Sequence, residues 1–288
     1  MTKQISPLRQ RMIDDMAFRN MSPNTQKVYT YAVANFARFH RQSPDQLGVE
    51  HIRDYRLHLM ARGLKATSIN PIVGALRFFY GTTLGNQQMA EQIPFARKED
   101  TLPAVLTRDQ VLQLLQAEPH LKMRTAFTTI YAAGLRVSEV VKLTARDIDS
   151  KRMVIHIRQA KGRKDRYVML SEQLLTILRN YWRRARPSDN LFFPSPDRQR
   201  PITTRSVQRA FRDAADAAGL DPSVTVHTLR HSFATHLLEQ GVDIRVIQDL
   251  LGHRQITSTT RYARVAVNMI RQIQSPLELL NLDEMAPA

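Results

Sequence analysis

The chain has 288 residues, room for two domains at roughly 100–200 residues each. Hydrophobic residues make up 43% and charged residues 24%, a balance that buries a real core and excludes a disordered chain. With 42 Lys+Arg against 26 Asp+Glu the formal charge is +16, which points to a polyanionic partner. The surplus is +6 over residues 1–100 and +10 over 101–288, so both parts are basic. Absence of cysteine excludes disulfides, thiolate zinc sites, iron–sulfur clusters and cysteine nucleophiles, and fits a reducing cytoplasm. No run approaches 18 apolar residues and the N-terminus carries no signal-peptide apolar core, so a soluble, cytoplasmic chain without a membrane partner is expected.

Residues 1–92 read as a small helical domain. A short helix covers Leu8–Met16. Ser22-Pro23 then forms an N-cap and first turn, after which Tyr29, Val33, Phe36 and Phe39 recur at helical spacing. Ile52, Tyr55, Leu59 and Met60 mark a further helix. Another begins near Thr67-Ser68, carries Leu76, Phe78 and Phe79, and ends by Gly81 or Gly85. Residues 93–103, with proline near both ends and a charged middle, read as an extended linker. Thr107-Arg-Asp-Gln110 has the form of a capping box, so a new domain opens there and runs over 104–288. Met153, Ile155 and Ile157 alternate with Val154, His156 and Arg158, which predicts a strand. A turn over Lys161–Arg166 and a return strand over Tyr167–Leu170 complete a hairpin. The rest is predicted helical over 108–117, 123–133, 172–184, 203–218, 228–240 and 243–251, giving a mainly α chain with one small antiparallel sheet.

Four segments carry residues suited to chemistry. In Ala133-Gly-Leu-Arg-Val-Ser-Glu139, Arg136 and Glu139 lie three apart on a helix expected just after Gly134. A guanidinium held by a carboxylate is fixed in direction, as a bidentate grip on phosphate requires, although the pair taken alone reads as an ordinary surface ion pair. In His227-Thr-Leu-Arg-His231, His227 and Arg230 share a helical face. His227 and His231 have zinc spacing, but no general-base glutamate lies between them and no third ligand is evident, so no metal is expected. His231 and His236 read as packing or surface residues, as do His40, His51, His58, His120 and His156. In Leu250-Leu-Gly-His253, Gly252 suits a helix C-terminus and leaves His253 in the loop beyond. Tyr262 follows nine residues later, and the polar run Thr257–Thr260 offers the break that lets the two converge. Lys161 sits at the mouth of the predicted turn, where an ammonium is either solvated or able to reach into a groove.

The boxes Ala-Gly-Leu-Arg-Val-Ser-Glu, Lys-Gly-Arg-Lys, His-Thr-Leu-Arg-His-Ser-Phe-Ala-Thr, Leu-Leu-Gly-His and Thr-Thr-Arg-Tyr, in this order, resemble those of the tyrosine recombinase (phage integrase) family, including its Xer-like and transposon-borne members. The resemblance spans nearly the whole chain. It implies a helical, SAM-like core-binding domain before an integrase-like catalytic domain of the DNA breaking-rejoining fold. It also implies six active residues: Arg136, Lys161, His227, Arg230, His253 and Tyr262.

A phosphodiester repels nucleophiles, so cleaving it needs charge neutralisation, a positioned nucleophile and a proton for the leaving oxygen. The expected roles are phosphate grip for Arg136, Arg230 and His253, attack by Tyr262 with His227 as proton acceptor, protonation of the 5′ oxygen by Lys161, and orientation by Glu139. Neither metal nor cofactor is expected. The resemblance further implies a 3′-phosphotyrosyl enzyme, strand exchange through a four-way (Holliday) junction, and a tetramer on two double-stranded DNA sites, built from this chain alone or with a second recombinase. Arg163 and Lys164 in the turn are candidate DNA contacts. So are Arg205, Arg209 and Arg212, a stripe opposite Val207, Phe211 and Ala214 that reads equally as a solvated face. The leucine-rich, acidic stretch within about 272–288 is a candidate docking segment, in cis or in trans. A type IB topoisomerase-like activity and a non-catalytic DNA-binding protein on the same fold are the alternatives.

Overall fold

A computed structural model of the chain describes residues 5–97, 102–158, 165–187, 191–252, 257–260 and 262. Among these the architecture is helical with a single three-stranded antiparallel sheet, and it divides into two compact units at residues 101/102.

The first unit contains α1 (Pro7–Phe18), α2 (Pro23–His40), α3 (Val49–Ala61), α4 (Ala66–Phe78) and α5 (Gln87–Glu91). Local chemistry starts α2 where the sequence indicates: Pro23 occupies its first turn and the Ser22 hydroxyl accepts the Thr25 backbone N–H at 3.1 Å. Met12, Met16, Val33, Phe36, Ile52, Tyr55, Leu76 and Phe79 pack into one core. Two residues of the helical stripes stay outside it. Met60 is exposed, and Phe39 lies at the rim against the rings of His40, Tyr55 and His58. A widened turn over Phe79–Thr83 continues α4, and the short α5 lies beyond it, too brief to show a period in the sequence. The expected linker begins as part of this unit. Ile93 is buried, its carbonyl accepts from Arg77 at 2.7 Å, and the Asn70 side chain both donates to and accepts from the Ala96 backbone at 2.9 and 2.8 Å.

The second unit opens with α6 (Arg108–Ala117), capped by the reciprocal Thr107–Gln110 bonds of a capping box. There follow α7 (Leu121–Ala133), α8 (Val137–Val140), β1 (Ile148–Asp149), β2 (Val154–Ile157), β3 (Arg166–Met169), α9 (Glu172–Ala185), α10 (Thr204–Ala217), α11 (Val226–Glu239), α12 (Ile244–Leu251) and α13 (Thr257–Thr260). In the sheet β2 is central, with Ile155 opposite Val168 and His156 opposite Tyr167. Ile155, Ile157 and Val168 face the core, while His156 and Tyr167 stack outside it. β1 spans two residues, below the length at which alternation is legible.

Packing of α11 against α7 sets the site. α7 ends at Gly134 in the left-handed conformation (φ +63°), where a Cβ would come within 2.5 Å of the Phe233 ring on α11. The chain reverses there and enters α8 at Arg136. Instead of stacking on a longer helix, Arg136 is the N-cap and Glu139 the third residue of a single turn, a shorter element than the sequence suggests. α11 also fixes where the chain enters this unit: the Ser232 hydroxyl accepts the Leu106 backbone N–H at 2.9 Å and donates to the Thr228 carbonyl. On the same helix, buried His236 meets the Tyr131 hydroxyl through Nδ1 at 2.8 Å.

Candidate active site

Glu139 is the hub. Burial pushes its carboxyl up, but hydrogen bonds and charge from Arg166, with further bonds from the Arg136 backbone and side chain, outweigh this and hold it down at about 2. Arg166, the first residue of β3, grips both carboxylate oxygens at 2.9 and 2.8 Å and donates from Nε to the Leu250 carbonyl at 2.8 Å. Arg136 donates its backbone N–H to Oε2 and Nη1 to Oε1, each at 2.8 Å, and reaches the Gly252 carbonyl with Nη2 at 3.3 Å. The third guanidinium belongs to Arg230 on α11, with Nη1 3.8 Å from Glu139 Oε2. Arg230 is fully buried and donates to the carbonyls of Gly134 and Leu251, at the C-terminal ends of α7 and α12. Burial and the neighbouring charges of Arg136 and Arg166 push it down to about 9, against the support of Glu139 and Tyr262. It remains a cation at neutral pH, held where an anion would be welcome.

Tyr262 is 2% exposed, and its hydroxyl lies 3.1 Å from Nδ1 of His231. Its backbone N–H is fixed by the Thr259 carbonyl at 3.0 Å, so the turn beyond α13 aims the ring at α11. His231, read from the sequence as packing, is therefore the imidazole in contact with the phenol. His227, the expected acceptor, is exposed one turn earlier, its ring centroid 4.5 Å from that of His231. Both histidines lie on the Arg230 side of α11, and sequence spacing alone did not decide which of them Tyr262 meets.

Arg136, Glu139, Arg230 and Tyr262 thus share one neighbourhood, and Arg166 and His231 join them. The signal for Arg166 was present only as a basic residue at a strand start. Its partner is 27 positions away, beyond any local period. Lys161, Arg163, Lys164 and His253 lie outside the described residues, as does the segment 272–288. On α10 the stripe divides. Arg205 and Arg209 are exposed opposite buried Val207, Phe211 and Ala214, whereas Arg212 is half-buried and donates to the Pro222 carbonyl at 2.6 Å. Among the described residues no three His, Asp or Glu side chains gather as metal ligands, and no helix is long and apolar enough to cross a membrane.

A cluster with three guanidiniums around one carboxylate, beside a phenol in contact with an imidazole, can neutralise an anionic centre while an oxygen nucleophile is deprotonated. Comparison with known proteins gives the chain a lineage. The phage integrase family pattern matches residues 104–269, and that of the phage integrase N-terminal SAM-like domain matches 8–89. A Sinorhizobium fredii protein named "Putative integrase/recombinase y4qK" is 48% identical over 278 residues, covering 96% of this chain and 90% of its own. The tyrosine recombinase XerA of Thermococcus kodakarensis is 36% identical over 264 residues, covering 90% and 91%. Among solved structures, the Tn1549 transposon integrase in complex with transposon right end DNA shares the fold with a TM-score of 0.73 at 19% identity. The match covers 92% of this chain and 99% of that one.

Proposed function

Because the chain belongs to the phage integrase family, and is a tyrosine-type site-specific recombinase, we propose that it cleaves DNA with the Tyr262 hydroxyl and rejoins the strand to a partner duplex. The single observation that carries this reading is the burial of Arg230 against Glu139, with Tyr262 close enough to bear on its charge. In this reading Arg136 and Arg230 hold the non-bridging oxygens of the scissile phosphate. The Tyr262 oxygen attacks phosphorus, the P–O5′ bond breaks, and the products are a 3′-phosphotyrosyl enzyme and a 5′-hydroxyl. His231 accepts the phenolic proton and His227, in ring contact with it, hands it on. Lys161 protonates the leaving oxygen and His253 adds a hydrogen bond to the phosphate. Attack follows exposure of the phenol, because Tyr262 is buried in the arrangement described.

The covalent bond conserves the phosphodiester's energy, so a 5′-hydroxyl from a second duplex reverses the step without ATP. Two rounds through a Holliday junction, in a tetramer on two sites, complete recombination. Residues 1–92 would bind the core of the site, 93–103 would link, and 104–288 would cut. Basic charge on both parts, +6 and +10, supports a grip on the duplex by each. With about 6–10 phosphate contacts, affinity falls roughly 10³–10⁵-fold between 50 and 200 mM salt.

The test is a nicked suicide site labelled at the 5′ end of the cleaved strand, the part that stays on the enzyme. Wild type forms an SDS-resistant adduct in EDTA, and Tyr262→Phe forms none while binding the site unchanged. An adduct that survives in Tyr262→Phe would sink the assignment. Exchange between two sites, without relaxation of plasmids lacking the site, separates recombination from a topoisomerase-like activity.

A further inference from the structure

We propose that Arg166 is a positioning residue of the cleavage reaction, which takes up the Glu139 carboxylate so that the positive charge of Arg136 and Arg230 acts on the scissile phosphate. This rests on the function proposed above and assigns a role to a residue outside its six active positions. Arg166 is 9% exposed, and all three of its guanidinium nitrogens donate to protein oxygens. Three of its five N–H groups are thus committed inside the protein.

The charge arithmetic gives the reason for its presence. Among the described residues the cluster holds three guanidiniums and one carboxylate, leaving two positive charges. Without Arg166 a single positive charge remains, and both Glu139 oxygens turn to the two arginines that must grip DNA. In a water-poor site such an internal ion pair competes directly with the phosphate. Glu139 also aims Arg136 through two hydrogen bonds, and Glu139→Gln keeps a carbonyl acceptor for one of them.

Geometry adds a second effect. One side chain ties the first residue of β3 to the α8 carboxylate and to Leu250 near the end of α12. Gly252 leaves room for it, because a Cβ there would come 3.0 Å from Arg166 Cδ. In sequence Lys161 precedes Arg166 by five positions and His253 directly follows Gly252, so Arg166 anchors the chain close to two residues of the proposed reaction.

The experiment is single-turnover cleavage of the nicked suicide site at saturating DNA, with binding measured separately. Arg166→Met should slow cleavage about 10²-fold while site affinity stays within about threefold. Arg166→Met combined with Glu139→Gln restores two positive charges and should cleave at least about tenfold faster than Arg166→Met alone. The pH profile supplies a readout that a mere brace would not move. Removing Arg166 lets the Glu139 carboxyl rise, so lowering the pH protonates it, discharges the competitor, and narrows the deficit of Arg166→Met. Should Arg166→Met not fold, Arg166→Lys carries the same comparison, because one ammonium cannot satisfy both carboxylate oxygens and Leu250 together. A double variant no faster than the single, or an Arg166 variant with wild-type rate, overturns the inference and leaves the proposed function standing. A wild type that forms no adduct removes both.

Discussion

The two units differ in what they bury. Among the described residues the first buries no charged side chain. Several of its buried polar groups finish the backbone: the Tyr80 hydroxyl donates to the Pro44 carbonyl at 2.7 Å and Asn70 pairs with Ala96. The second buries Glu118, Glu139, Asp147 and Arg230. Burying charge costs several kcal/mol per ion unless partners repay it, and replacing such groups by apolar ones is often neutral or stabilising. Two of these charges, Glu139 and Arg230, meet in the candidate site; of the others, Glu118 accepts the His120 backbone N–H and Asp147 that of Thr144. The first unit spends its interior on shape.

That contrast can be broken by substitution. Phe36→Ala, in the core of the first unit, should cost about 3–5 kcal/mol in chemical denaturation and leave the cleavage rate of the folded fraction unchanged. Arg230→Lys should show the opposite balance, cleavage falling about 10²–10³-fold because one point charge replaces a fork. If stability and rate moved together in both variants, the division of labour would be wrong. Acid sharpens the comparison. Glu139 is held at about 2 against an ordinary 4.5, so the stabilisation it gives is full above about 4.5 and is lost as pH falls toward 2. Wild type should lose stability across that window in a pH titration of thermal unfolding, and Glu139→Gln should flatten the curve. Tyr80→Phe should cost about 1–3 kcal/mol through carbonyls left without a donor, with cleavage intact. The smallest effect belongs to the surface. Arg205→Gln and Arg209→Gln should each lower the salt slope of DNA binding by about 1, while Arg212→Gln, tied to Pro222, should not.

What the sequence made legible is what local rules govern. Ser22-Pro23, the Thr107–Gln110 box, and Gly134 and Gly252 as helix stops follow from capping chemistry confined to a few residues. The pattern of β2 followed from alternation, and that of α10 from its apolar face. Illegible were relations that only tertiary packing creates. Arg166 meets Glu139 across 27 positions, and Tyr262 reaches back 31 residues to the His231 ring. The Asn70–Ala96 pairing draws the start of an apparent linker into the first unit, although proline and charge there read as extended and solvated.

That last pairing has a mate, because Leu106 is held by Ser232 at the far side of the same stretch. Ten Cα steps separate the two anchors, a tether whose full reach is about 33–36 Å. If each unit holds DNA, as the proposed function has it, landing of one keeps the other on a short tether. The second landing becomes a first-order event at an effective concentration of order mM, and avidity of about 10²–10⁴ over either unit alone comes from the tether's shortness rather than from any added contact.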